Sequence, residues 1–280
     1  MPASGSCIFT DADGYGASLQ DMLDLVVGPA DKFSARLTWV ELPILRLLRA
    51  RETAPRLAYV SLPHESVFVT FPTQPGSLLI CDGMELPFGD IMFHSRGQRF
   101  HQRTIVATSW GAVSLPPASL AAFSRTLTGR ELVAPAAGRV LRPRVPDRVQ
   151  LLRLHAQVGR VAETQLDHIV HPQVARALEQ DLIWALVTCL TTGEPRDEPA
   201  ARHEHAAILA ELETLLASNP ERALTVSEVC RVIGVSHKAL KICCGYSIGM
   251  GPARYLRLRR LKHMGVPPPY VHFPAKGTAR

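Results

Sequence analysis

The chain reads as an α+β protein: an antiparallel β-rich N-terminal domain, then helices, then a C-terminal all-α helix-turn-helix domain. Three observations carry that expectation. Residues 33–115 break into short apolar or alternating runs punctuated by Pro, Gly and Asp, the rhythm of antiparallel strands. From Pro116 onward the apolar residues recur instead at i, i+3, i+4 over longer segments, the period of helices. Residues 224–264 then hold two short amphipathic helical patterns with a glycine between them and a basic helical pattern after them.

With 280 residues, 46% of them hydrophobic and 20% charged, the chain has material for two domains and a substantial core. Its opening, MPASGSCIFTDADGYG, has neither a basic start nor an apolar run, so no secretory signal is expected. No stretch approaches the roughly 18 apolar residues that a membrane span needs. Cys7, Cys81, Cys189, Cys230, Cys243 and Cys244 are scattered, which suits reduced thiols in a cytoplasm rather than a disulfide framework. A cytoplasmic protein that does not enter a membrane is therefore expected. The sequence shows no internal repeat.

Taken in order, Asp21 to Val26 reads as a short helix. SARLTWVEL, ILRLLRARE, RLAYVSL, SVFVTF, SLLICDG, GDIMFHSRG and TIVATSWGAVSL are the strand runs, spaced as in a sandwich or barrel, and a small β-barrel is the expected shape. Pro116 to Thr128 opens with the proline that a first helical turn tolerates and puts Leu120, Phe123 and Leu127 on one side. Pro135 to Pro146 is a Pro-, Arg- and Gly-rich connector. Helices follow over Asp147 to Thr164, with Val149, Leu152, Ala156 and Val161 inward, and over Pro172 to Leu190, with Val174, Leu178, Leu182, Ala185 and Leu186 inward. Two such helices could cover the open face of the β-domain or pair with another subunit. Thr191 to Ala200 is polar and proline-containing, a linker. Arg202 to Ala217 then supplies Ile208, Leu209, Leu212, Leu215 and Leu216 to close the core of the helix-turn-helix.

The final pattern is the most informative. Thr225 and Glu228 have capping-box spacing, which starts a helix near Val226. Val229, Val232 and Ile233 give it an apolar face, and Gly234 stands where a left-handed residue ends a helix. Ser236 is a natural N-cap for a second helix whose apolar side is Leu240, Cys243 and Cys244. At about 100° per residue, Lys238, Lys241 and Ile242 lie on the opposite side, with His237 near the start. In a helix-turn-helix the second helix enters the major groove, so the outward side is the reading side. Between Glu221 and Met264 there are nine basic residues against two acidic ones, a net of +7 in a chain whose total is +6. The remainder is near −1, and concentrating positive charge in one segment is the footprint of phosphate binding.

These residues also carry a resemblance. Val235, Ser236, Lys238, Leu240 and Lys241, followed by Gly249, Met250, Gly251, Pro252, Arg254, Tyr255, Leu256, Leu258, Arg259 and Arg260, resemble the first half of the DNA-binding region of AraC/XylS-type transcriptional regulators. The resemblance implies base contacts by Lys238, Lys241 and Ile242, and puts Pro252 in the first turn of the helix that links two helix-turn-helix units. Ser236, His237, Arg254, Arg257, Arg259 and Arg260 are the expected backbone contacts. It further implies a cupin-like β-rich domain that binds a small effector and helps form a homodimer. The corresponding domains are 1–142 for the sensor, 143–192 for a helical dimerisation or packing segment, 193–200 for the linker and 201–264 for the helix-turn-helix. The family continues into a second helix-turn-helix, whereas Gly265 to Arg280, with Pro267, Pro268 and Pro269, reads as an irregular tail without one. A second reading therefore stands beside the first, that of a truncated regulator that does not bind DNA specifically and acts as a sensor or dimerisation partner.

Other chemistry finds less support. His94 and His101 invite a metal site, but they are seven residues apart with Arg96, Arg99 and Arg103 nearby, so surface or loop positions are expected. An anionic effector held by Arg96, Arg99 or His101 is the remaining possibility. Adjacent Cys243 and Cys244 could form a redox switch, yet on the core side of a helix cysteine behaves as a small hydrophobe. There is no nucleophile elbow, zincin motif, phosphate loop or paired zinc knuckle, so no catalytic residue, metal or cofactor is expected, and an enzyme is not.

Overall fold

In a computed structural model the chain is described over residues 2–19, 23–27, 33–164, 171–197 and 201–265. Thirteen strands and eight α-helices follow among the described residues. They are β1 (Ala3–Phe9), α1 (Ala12–Ala17), β2 (Leu23–Val27), β3 (Ala35–Glu41), β4 (Arg46–Glu52), β5 (Leu57–Ser61), β6 (Val67–Pro72), β7 (Leu78–Cys81), β8 (Met84–Pro87), β9 (Ile91–Phe93), β10 (Arg99–Arg103), β11 (Thr108–Leu115), α2 (Pro117–Thr128) and β12 (Arg139–Arg142). The rest are α3 (Val145–Thr164), α4 (Pro172–Thr192), β13 (Glu194–Pro195), α5 (Ala201–Ser218), α6 (Val226–Ile233), α7 (His237–Cys243), a π-turn (Cys244–Ile248) and α8 (Pro252–His263). The chain is thus α+β, with antiparallel sheets first and helices after.

The strands form two sheets in place of the expected single barrel. One has the order β1-β3-β4-β11-β6-β9-β12-β13 and the other β2-β5-β10-β7-β8. Period-two alternation gives each strand two destinations. In the larger sheet Leu37, Leu48, Phe68 and Ala112 face inward to meet Ala58, Val60, Leu79 and Phe100 of the smaller one. Their neighbours Val40, Leu47, Val69 and Val113 face outward, where α3 and α4 cover them with Leu151, Leu154, Val158, Leu182 and Leu186. On the smaller sheet the outward residues Leu57 and Tyr59 are covered by the C-terminal helices. The molecule is therefore layered helix, sheet, sheet, helix, and the two long helices cover the β-domain's open face.

Several local expectations shift for identifiable reasons. The predicted helix at Asp21 to Val26 is instead strand β2, paired with β5; Asp21 itself lies outside the described residues. The connector at Pro135 to Pro146 contains β12, which pairs with β9, and β13 lies inside the predicted linker and pairs with β12. Inward faces also rotate. On α3 Val149 is exposed, and His155 and Gly159 fill positions that Ala156 and Val161 were expected to hold. On α2 Leu127 is exposed and Ser124 is buried, and on α4 Val174 is exposed. The tail, apart from Gly265, lies outside the described residues.

The sandwich interior is closed by a polar cluster. The Arg56 guanidinium donates to Glu52 at 2.8 Å and to the Gln102 side chain at 2.6 Å. Trp110 Nε1 and the Tyr15 hydroxyl also donate to Glu52, at 2.7 and 2.9 Å. Burial first, then the Glu52 charge, holds the Tyr15 hydroxyl protonated well above its ordinary range. All three donors converge on Glu52 Oε1, which offsets part of the cost of burying this ion pair, while Glu52 Oε2 is buried without a hydrogen-bond partner.

Candidate nucleic-acid interface

Helix α6 starts and stops where its sequence dictates. The Thr225 hydroxyl accepts from Glu228 N while the Glu228 carboxylate accepts from Thr225 N, completing a capping box. The Thr225 N–H and hydroxyl bonds hold the Glu228 carboxyl below its usual range. Gly234 ends the helix at φ 72°, a left-handed conformation that a Cβ disfavours. Val235 then tucks partly into the core, and Ser236 caps α7 by accepting from Ala239 N at 3.1 Å.

Seven residues of α7 place Leu240 and Cys243 inward, and Cys244 at the start of the π-turn joins them in the core with Val229, Leu209 and Leu212. Burial pushes the Cys244 thiol up to about 12 and raises Cys230 and Cys243 as well, so these sulfurs pack as hydrophobes. Helix α6 is rotated slightly from expectation: Val232 is 57% exposed, and Cys230 takes its place inside.

The outward side of α7 carries His237, Lys238, Lys241 and Ile242, all exposed, with Ile242 at 49%. Beside it, α8 begins at Pro252, whose missing N–H costs nothing in a first turn. His237, Lys238 and Lys241 share a groove with Pro252 and Arg254. Arg257 and Arg260, also exposed, line a second groove of about 610 Å³ between the end of α5, the start of α6 and α8. Lysines, arginines and one aliphatic tip thus share a helical surface with the composition that meets phosphates and base edges.

Not every expected contact residue points outward. Arg259 turns the other way: its guanidinium lies 3.1 Å from Glu213 and 5.8 Å over the Tyr59 ring, and its side chain is only 20% exposed. Residue 259 lies on the side of α8 that faces α5 and the smaller sheet, and it also borders the groove that Arg257 and Arg260 line. Ser236 is exposed, with its hydroxyl already serving as the cap.

His94 and His101 do correct an expectation. Neither is at the surface: His94 is buried in the connection that follows β9, and His101 lies within β10. His94 is fully buried between Thr70 (2.9 Å) and Gln98 (3.2 Å) and stacks on Phe100, and burial pulls its pKa down to about 4. His101 lies under the C-terminal helices, with Nε2 at 2.9 Å from the Tyr255 hydroxyl and 3.1 Å from Glu213. The Tyr255 hydroxyl also donates to Glu213. Burial alone would raise the Glu213 carboxyl, but His101, Arg259 and Tyr255 together hold it below its ordinary range. Arg96 Nε donates to the His64 carbonyl at 2.6 Å. Composition gave no hint of the Tyr255, Glu213 and His101 cluster. The alternation in Arg99 to Arg103, however, does place His101 opposite Phe100.

No family model matches the chain, and no curated protein matches it. Among solved structures it is similar to the AraC-like transcriptional activator CuxR, at 19% identity over 94% of this chain and 95% of that one, with a TM-score of 0.48. It is also similar to ToxT from Vibrio cholerae strain SCE256 with an unsaturated fatty acid bound, at 9% identity over 79% of this chain and 78% of that one, TM-score 0.32. A third, ToxT from Vibrio cholerae O395, is 9% identical over 71% of this chain and 92% of that one, TM-score 0.30.

Proposed function

We propose that the chain is a cytoplasmic, sequence-specific DNA-binding transcriptional regulator of the AraC/XylS type that answers to a small effector and acts as a homodimer. The observation that carries this reading is the capped helix α7, which hides Leu240 and Cys243 and presents Lys238, Lys241 and Ile242 to solvent. In the major groove the two lysines donate to guanine O6 or N7 and Ile242 meets a thymine methyl. Ser236, His237, Arg254, Arg257 and Arg260 lie around them to hold phosphates and fix the register. One helix-turn-helix is present per chain among the described residues, so a dimer supplies the second reading helix that a two-half-site operator requires. An open cleft of about 650 Å³ at one end of the sandwich, with Leu42, Ile44, Phe68 and Leu115 beside Arg46 and Glu65, is where an effector of mixed polarity fits.

Selection from a pool of random duplexes tests this. The purified full chain enriches one sequence family, and the K238A and K241A variants each relax that preference at one base pair. A pool that stays random through repeated rounds with the unaltered chain contradicts the reading.

A further inference from the structure

The β3–β4 ladder is charged differently at its two ends. At one end Glu41 stands directly opposite Arg46, and the two side chains approach to 3.7 Å. At the other end Arg36 stands directly opposite Arg51, and both are exposed. Like charges so placed have Cβ atoms only about 5 Å apart and destabilise the strand pair. Alternation puts Arg36 on the same face as Thr38, which donates to Glu163 of α3, so this is the face that α3 crosses.

Two more arginines join them there. Arg49, two residues along β4 from Arg51, runs beneath α3 at Gly159, where an added Cβ would lie 2.9 Å from its Cδ and Nη1. Arg160, the next residue of α3, is exposed. Burial pulls the Arg49 guanidinium below its ordinary range; Glu163 opposes that, and the Arg51 and Arg160 charges add to it. Glu163 lies 3.8 Å from Arg49 Nη1, which is buried without a hydrogen-bond partner. Arg36, Arg51 and Arg160 have no ion-pair partner among the described residues.

We propose that this face is a binding site for a small phosphate-bearing anion, a phosphate monoester or a diphosphate, bridged between Arg36 and Arg51. The anion removes the repulsion that the ladder otherwise carries, and each guanidinium fork offers the parallel N–H pair that a phosphate accepts. Arg49 and Arg160 stand behind them and add positive potential without direct contact. The row is uncharged on both flanks: Ile8, 61% exposed, lies opposite Arg36, and Ser109 lies opposite Arg51. Its short charged length suits a compact anion better than the extended backbone of a nucleic acid. The site is on the larger sheet, away from α7 and α8, and does not depend on the DNA-binding reading above.

Calorimetric titration of the full chain with inorganic pyrophosphate at constant ionic strength tests the assignment, using R36Q, R51Q and, as a control at an exposed arginine outside the row, R130Q. Loss of one charge-assisted fork is expected to weaken binding about 10-fold or more in R36Q and in R51Q, and R130Q is expected to bind as the unaltered chain does. Melting supplies a second readout. Without pyrophosphate R51Q, relieved of the like-charge pair, melts at or above the unaltered chain, and with saturating pyrophosphate the order reverses. Equal affinity in the unaltered chain and both glutamine variants, or a melting order that pyrophosphate leaves unchanged, overturns the site. A random-sequence duplex separates the two sources of phosphate. The R36Q/R51Q double variant is expected to keep the salt slope of the unaltered chain, whereas a slope flattened by about 0.9 for each arginine lost assigns the row to nucleic acid and overturns the small-anion assignment.

Discussion

Two buried histidines make the sandwich acid-sensitive. His94 and His155 both have pKa values drawn down to about 4 by burial, from an ordinary 6.5. Their stabilising contribution is therefore complete above about pH 6.5 and drains as pH falls towards 4, where the unfolded chain takes up protons that the folded one refuses. At pH 5 that amounts to about 2 kcal/mol for each histidine. Urea midpoints at pH 7 and pH 5 measure it, and H94Q is expected to remove about half of the difference. A midpoint that does not move between the two pH values contradicts the burial argument. On the reading surface the residues separate by role. K238A or K241A is expected to lower discrimination at one base pair by about 1–3 kcal/mol. R257Q is expected to weaken all duplexes alike and to flatten the salt slope by about 0.9.

Secondary-structure elements show what a sequence can disclose. The helix-turn-helix was legible almost to the residue because its signals are local: the Thr225 and Glu228 box, Gly234, the Ser236 cap and Pro252 act within four residues of themselves. They also predict local costs. T225A removes the acceptor for Glu228 N and is expected to destabilise by about 1 kcal/mol. G234A meets open space but forces a Cβ into φ 72°, at a cost of about 1 kcal/mol. Chemical denaturation of each variant checks both values. Strands β2 and β12 were illegible for the opposite reason. Leu23 to Val27 alternates only over Leu23, Asp24 and Leu25, too briefly to mark a strand, and Arg139 to Arg142 sits among prolines and glycines. Both are strands because a partner distant in sequence, β5 or β9, supplies the ladder. Helix faces drifted on α2 and α3 because long helices offer more than one apolar stripe, and the sheet beneath selects between them.

At the scale of the whole molecule, the smaller sheet is the shared wall. Leu57 and Tyr59 belong to the same core as Leu212, Leu240 and Tyr255, and Gly83 at φ 81° lets the β7–β8 turn approach Tyr246 more closely than any Cβ would allow. Nothing in residue spacing reveals that contact, since it joins positions more than 150 apart. A core shared across the two halves should make them unfold together. Calorimetry of the full chain is expected to give a single cooperative transition, and Y59A, which removes a buried ring at a cost of about 3 kcal/mol, should split it into two. Two separate transitions in the unaltered chain would instead mean that the shared core adds little.

The most direct test of the central claim compares the unaltered chain with a K238A/K241A double variant on two duplexes, one selected by the protein and one of random sequence, at low and at moderate salt. The account predicts that the unaltered chain prefers the selected duplex at both salt concentrations, while the double variant binds the two duplexes equally and still weakens as salt rises. Equal binding of both duplexes by the unaltered chain, or a preference that survives loss of the two lysines, would contradict it.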